Sequence, residues 1–311
     1  MYNLVRNENM KIYNRVRTWV LVGLLVLASI LFTIAFYAVN DYSSSGDWRE
    51  RTQKDIETYH QTMASTSGMV EDQVSRMIKI SEYRLEHDIP PQNNSIWGGT
   101  IAGSGLVFLV SIFTVIIAAD IVAGEFAAGT IKLLLIRPAS RAKVLLSKYL
   151  ATLQFSLLLL VVLFLVSFVA SGLLFGFKGV GSPYLYLGGD GFVHERSMIQ
   201  HAFSTYGLKC VNLIMIVTMA FMISSVFRSS ALSIALSIVA LLMGDLLVVL
   251  LGKYEWMRFY LFSNTDLTQY LEGVPPFEGM TMGFSICVLI GYFLLFNGLS
   301  WLLFTKRDVR S

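Results

Sequence analysis

Residues 118–150 read AADIVAGEFAAGTIKLLLIRPASRAKVLLSKYL and lie between two apolar runs long enough to sit in lipid. The tract gathers Glu125, Gly129, Lys132, Arg137, Pro138, Arg141 and Lys143 in a chain that is 55% hydrophobic and 14% charged. A soluble domain carries roughly 25% charged residues. A bilayer-crossing helix needs about 20 apolar residues at ~1.5 Å each. Six stretches meet that length: Trp19–Val39, Ile101–Ala119, Tyr149–Phe175, Gly207–Phe227, Ala231–Leu251 and Met282–Phe304. The fold class is therefore an all-α integral membrane protein with six transmembrane helices. The first run is too long for a signal peptide, and Val39-Asn40-Asp41-Tyr42 lacks a small-residue cleavage pattern, so it reads as a retained span.

Loop charges orient the chain. With both termini inside, the cytoplasmic segments hold thirteen basic residues against four acids, Glu8, Asp120, Glu125 and Asp308. The short loops show the asymmetry most clearly, and short loops decide orientation. The net charge of +3 is too small to point to nucleic acid. Cys210 and Cys287 sit in apolar runs without a CxxC neighbour and read as small buried hydrophobes.

The expected organisation follows the chain. Residues 1–18 form a cytoplasmic amphipathic connecting helix, 19–39 a span, and 40–100 an extracytoplasmic helical loop. Residues 101–304 carry five further spans, with a cytoplasmic loop at 120–148 and outer loops at 178–206 and 252–281; 305–311 form a cytoplasmic tail. In the long outer loop, Ile56, Tyr59 and Met63, then Val70, Val74 and Met77, recur at helical spacing with Gly68 between them. This predicts a helical hairpin or one broken helix, either a cap on the other outer loops or a ligand sensor. Asn264 or Thr265 is a candidate cap for a short helix through Asp266–Leu271. Aromatic residues from Tyr254 to Tyr270 suit a membrane–water boundary. His194 and His201, seven apart, would share a helix face, and two histidines alone are a weak metal signal, so no metal site is expected.

Absent motifs narrow the chemistry. The sequence has no GxxxxGK[ST], GxSxG or HExxH. It thus lacks a phosphate-cradling loop and the usual signatures of a hydrolase, and it reads as no enzyme. The charge well inside an apolar span is Asp245, about 9 Å from the outer end of the fifth span. It either touches substrate or bonds to an outer-leaflet polar group or a neighbouring helix; Gln154 and Asn212 are uncharged polar candidates for the same path.

In the opening tract the second helix can continue to Ala127 or Ala128, Gly129 supplies a break, and Thr130 caps a short apolar helix over Ile131–Ile136. Arg137 before Pro138 is biased away from helical geometry, and Ser140 caps the next helix. An apolar ridge with basic flanks suits a groove on another protein, or equally an anionic membrane surface.

Glu125-Phe126-Ala127-Ala128-Gly129-Thr130-Ile131-Lys132, followed by Leu134-Leu135-Ile136-Arg137-Pro138-Ala139-Ser140-Arg141, resembles the E-x-x-x-G-T…L-L-x-x-P-x-S-R segment of type-2 ABC exporter permeases. The basic N-terminal segment, the six spans and the large first loop extend the resemblance, which is greatest to the bacterial antibiotic-export and bacteriocin-immunity branch. It implies that Ile131, Leu133, Leu134, Leu135 and Ile136 form a coupling helix seated in a separate ATP-binding subunit. Glu125 would make contacts in the cytoplasmic layer, Gly129 and Thr130 would set the break, and Arg137, Pro138 and Arg141 the exit. Arg6–Trp19 would lie along the inner leaflet, with Val5, Ile12, Tyr13 and Val16 on its apolar side. The resemblance further implies a bacterial cytoplasmic membrane location, a second permease as partner, ATP and Mg bound only by the partner subunit, and export or extraction of an amphipathic compound. A membrane-embedded sensor or scaffold with residues 40–100 as receptor, and a membrane enzyme subunit, are the alternatives.

Overall fold

The computed structural model describes residues 1–43, 47–64, 69–129, 140–177, 181, 183–188, 190–227, 229–272, 275, 277 and 279–306. The chain opens with α1 (Tyr2–Tyr13) and α2 (Val16–Ser43). Then come α3 (Trp48–Ala64), α4 (Met69–Glu86), α5 (Ile96–Gly103) and α6 (Val107–Ala127). A long α7 (Arg141–Phe175) leads to a hairpin of β1 (Pro183–Leu187) and β2 (Val193–Ser197). The chain continues through α8 (Met198–Val226), α9 (Ser230–Leu251), α10 (Leu261–Thr265), α11 (Gln269–Glu272) and α12 (Met282–Lys306).

Among the described residues, six helical segments are long and apolar enough to cross a membrane: Val16–Asn40, Ile96–Ala127, Arg141–Phe175, Met198–Val226, Ser230–Leu251 and Met282–Thr305. Each contains the core of a span expected from hydropathy, and most extend beyond it. Hydropathy marks only the apolar centre, whereas a helix continues for as long as its backbone stays paired. The second segment is the most enclosed, 61% of its apolar stretch lying inside protein against 17% for α9 and α12. Accordingly α6 forms the hub and packs on α7, α8 and α9, while α2 lies against α7 and α12 against α8. Cys210 is half-buried and Cys287 exposed, so neither is the buried hydrophobe expected from its neighbours. The outward face of a peripheral span is apolar too, because its solvent is lipid.

Small residues let two spans approach closely. A Cβ added to Gly99 or Gly103 would overlap the Ser171 and Ser167 hydroxyls of α7. These two small pairs are each four residues apart, the spacing that lets backbones pack without side chains between them. Ser29 Oγ of α2 joins the same seam, 3.0 Å from Ser167 Oγ.

Helix α7 has 35 residues, or ~52 Å of helix against a hydrocarbon core of about 30 Å, so it outreaches that core. It starts where the sequence predicts: the Ser140 side chain accepts a hydrogen bond from the Lys143 amide at 3.4 Å. At the other end of the bundle, α3 packs on α4, and α4 rests on the hairpin through Tyr83 and Glu195, 3.2 Å apart. The buried stripe of α4 includes Val74 and Ile78, whereas Met77 is exposed.

Two expectations for the loops are corrected. His194 lies on β2 and pairs with Asp190 at 2.9 Å, while His201 is buried in α8 and stacks on Tyr184. They share no helix face, because the Gly188–Gly191 turn, with Gly191 at φ +80, folds residues 183–197 into a hairpin. Neither Asn264 nor Thr265 caps a helix over 266–271. Both are buried in α10, where Asn264 Nδ2 donates to the carbonyls of Arg258 and Tyr260, each at 2.8 Å. Asp266 instead accepts from the Thr268 amide at 3.1 Å. A buried amide beside bare loop carbonyls satisfies them rather than a helix terminus.

Candidate functional site

Helix α1 and the end of α12 lie at one end of the bundle. Helix α1 contacts Glu125 at the end of α6, and Arg141 at the start of α7 donates to the Thr305 carbonyl of α12 at 3.2 Å. The segment expected as one helix over Arg6–Trp19 is divided. Helix α1 stops at Tyr13, the Thr18 hydroxyl donates to the Ile12 carbonyl at 2.5 Å, and Trp19 Nε1 donates to the Tyr13 carbonyl at 2.8 Å. These bonds redirect the chain into α2. Ile12 is on the buried side of α1, but Val16 belongs to α2 and is exposed.

The buried face of α1 also carries Glu8, and this acid is one corner of a closed ring of four charges. Lys148 Nζ on α7 lies 2.8 Å from Glu8 Oε2 and 2.6 Å from Glu125 Oε1. Lys11 Nζ completes the ring at 2.8 Å from Glu8 Oε1 and 2.8 Å from Glu125 Oε1. Lys148 is fully buried and also donates to the Ile121 carbonyl at 3.3 Å. A second node adjoins it. Asp120 Oδ2 accepts from Arg15 at 2.6 Å and from Arg17 at 2.7 Å, and its other oxygen accepts from the Ser230 hydroxyl of α9. Four helices and the α1–α2 connection are thus joined by charge at this end. Such pairs hold position because a buried charge that loses its partner is strongly unfavourable.

Burial alone would raise the Glu8 carboxyl, but Lys148 and Lys11 more than offset it and hold it below the ordinary value of 4.5. Burial likewise lowers Lys11, and its bonds to Glu125 and Glu8 outweigh that, leaving it above 10.5. A depressed acid stabilises the folded state above its unfolded pKa, and that contribution is lost as pH falls through the folded pKa. A raised lysine loses its contribution as pH rises through its folded pKa. Helix α1 is therefore expected to stay docked from neutrality down to pH 4.5 and to release only in more acid solution. Trypsin-independent cleavage of residues 1–18 by a protease active across that range, followed against pH, checks this; release between pH 5 and 7 would contradict it.

Of the residues expected to couple the chain to an ATPase, Glu125 lies in the ring, and Gly129 follows the end of α6 at φ +67, a backbone state that favours glycine. Arg141 opens α7. Thr130, Ile131, Leu133, Leu134, Leu135, Ile136, Arg137 and Pro138 lie outside the described residues. The expected substrate-path residues divide. Gln154 Oε1 accepts from Asn9 Nδ2 of α1 at 2.6 Å and so sits at the terminal end. Asp245 and Asn212 line one cavity of about 220 Å³ between α6, α8, α9 and α10, together with Lys209 and Asp266, which pair at 2.7 Å.

Sequence reasoning treated Glu8, Lys11 and Lys148 only as orienting charges and passed over Lys209. A signal was available for Lys148, since no charged residue follows it until Lys178 and a lysine at the start of such a span needs an acid nearby. Its partner on residue 8 is 140 positions away, which no local pattern reveals.

Residues 69–310 match the family model described as "Protein of unknown function (DUF2705)". The chain is 38% identical over 314 residues to a Bacillus subtilis (strain 168) protein described as "Uncharacterized protein YhcI", the match covering 100% of both. It is also 36% identical over 208 residues to "Uncharacterized membrane protein YdbK" of the same organism, covering 66% of this chain and 80% of the relative. With six helices of membrane-crossing length and a relative described as a membrane protein, the chain is a multi-pass membrane protein, and it belongs to the DUF2705 family.

Proposed function

We propose that this chain is the membrane-spanning permease subunit of an ABC-type exporter in a bacterial cytoplasmic membrane. A separate ATP-binding subunit would hydrolyse ATP with Mg, a second permease would complete the path, and an amphipathic compound would be exported or extracted. One observation carries the reading: α6 and α7 meet at the terminal end, joined by residues 130–139 and bound to each other through Glu125 and Lys148. A force applied to that connection would move α6, α7 and α1 together, since the same ring holds all three. The resemblance of Glu125–Arg141 to a coupling segment supplies the source of the force. The sequence itself offers no phosphate-binding loop.

In this reading the chain performs no bond chemistry. Ile131–Ile136 would seat in a groove of the ATPase, Gly129 and Ser140 would bracket it, and closure of the paired ATPases would be transmitted as rigid-body motion. Co-expression with a P-loop ATPase encoded in the adjacent reading frame is the test. The two chains are expected to co-purify, and the ATPase to turn over faster in the complex than alone. An adjacent ATPase that neither binds nor responds would overturn the proposal, and turnover of a lipid or peptide by the purified chain alone would favour an enzyme.

A further inference from the structure

The cavity around Asp245 has an unbalanced charge. Its lysine, Lys209, is taken by Asp266 at 2.7 Å, and Asp266 also accepts from the Thr268 amide and hydroxyl at 3.1 and 2.5 Å. Asp245 accepts no hydrogen bond and forms no ion pair among the described residues. A carboxylate within a membrane-spanning helix is costly unless something neutralises it, and such residues face a cavity or a partner group. Here the cavity is present, and the lysine that lines it, Lys209, pairs with Asp266 and attracts Asp245 only from beyond ion-pair distance, so two carboxylates share one cation. The position is held closely: Gly244 presses on the Phe262 ring, where a Cβ would overlap it, so α9 sits hard against α10 and Asp245 stands beside Asp266.

The remaining lining suits a cation with an apolar body. The Phe108 and Phe262 side chains offer aromatic surface, which attracts ammonium groups, while Asn212 and Ser111 add neutral polar atoms. A volume of about 220 Å³ equals roughly seven waters at ~30 Å³ each, or one small alkylammonium head. Asp245 is also exposed at the bundle surface, flanked on α9 by exposed Leu242 and Leu246, so an apolar tail can leave the cavity along a greasy face.

We propose that this cavity binds the ammonium group of a cationic amphiphile, with Asp245 as the counter-ion and the Lys209–Asp266 pair as a neutral wall. As a statement about cargo it rests on the exporter reading; as a binding site it stands without it. The ammonium comes either from a soluble amphiphilic amine or from the amine head of a membrane lipid, and the chemistry is the same.

The test uses the full chain purified in dodecyl maltoside, without any ATPase, and equilibrium dialysis of octyltrimethylammonium, octanoate and octanol. The cation is expected to bind saturably, one per chain, and the anion and alcohol not to saturate. Asp245→Asn should weaken the cation about tenfold or more, the range for a lost charge-assisted contact, and Asp245→Glu should recover most of the loss. Since Asp245 makes no hydrogen bond or ion pair among the described residues, Asp245→Asn should keep wild-type helix content and elution volume. Asn212→Asp, which adds a third carboxylate to the cavity lining beside its one lysine, should tighten binding. Equal binding of octanoate, or Asp245→Asn and Asn212→Asp both binding as wild type, would overturn the proposal. Displacement of the probe by added phosphatidylethanolamine but not phosphatidylglycerol identifies a lipid amine as the occupant; displacement by neither identifies a soluble amine. Failure of the exporter reading would leave these results intact, because no ATPase enters the measurement.

Discussion

Replacing Lys148 with methionine is expected to detach α1 from the bundle and to destabilise its terminal end by about 3–5 kcal/mol, the usual effect of removing one member of a buried ion pair. Methionine fills nearly the same space, so the change isolates charge from packing. It leaves Glu8 and Glu125 facing each other across Lys11, whose side chain is 44% exposed. Arg15 and Arg17 remain bound to Asp120 in the second node, so α2 stays tied to α6. The loss should therefore concentrate in residues 1–13. Two measurements check it: a lower melting temperature of the full chain in detergent, and faster trypsin cleavage after Lys11 and Arg15. Adding Glu8→Gln to Lys148→Met should restore part of the stability by removing one of the repelling carboxylates. Unchanged melting and cleavage in Lys148→Met would show that the ring does not hold α1.

Gly129→Pro is expected to abolish coupling between an ATP-binding partner and transport while the protein still inserts in the membrane. At φ +67 the backbone at Gly129 is in the left-handed region, and proline is fixed near −65°. The substitution thus re-aims the chain as it leaves α6. A Cβ at Gly129 would meet nothing within 4 Å, so Gly129→Ala strains only the local backbone, by about 1–2 kcal/mol, and should retain much of the coupling. Leu134→Asp provides an independent arm, since a charge within the apolar run 133–136 would oppose seating in an apolar groove. ATPase stimulation by the reconstituted complex is the readout, with membrane insertion as the control. Wild-type stimulation in both Gly129→Pro and Leu134→Asp would remove the support for a coupling role of this tract.

Much of the fold was legible because lipid imposes a one-dimensional rule. A helix must be long and apolar to span, and each of the six runs satisfied it without reference to any other. Local punctuation was readable for the same reason. Gly129 breaks α6, and Ser140 caps α7 through an amide three residues away. The failures came where a residue's partner lies far along the chain or where burial changes its role. Asn264 reads as a cap and is a buried bridge, its Oδ1 accepting from Ser285 on α12 at 2.7 Å. His194 and His201 read as helical neighbours and are separated by the end of a strand.

The candidate site follows the same division. Glu125 and Asp245 stand out in sequence because a charge next to or within an apolar run is conspicuous. That Gln154 belongs with Asn9, that Glu8 meets Lys148, and that Lys209 pairs with Asp266 rather than with Asp245 could not be read from spacing. By itself the sequence determined that the chain is helical and crosses a membrane, with a polar break between its second and third spans, because transfer from water to lipid depends on composition over about 20 consecutive residues. Which charges pair is settled only in three dimensions, because an ion pair depends on a few ångströms between residues up to 140 positions apart.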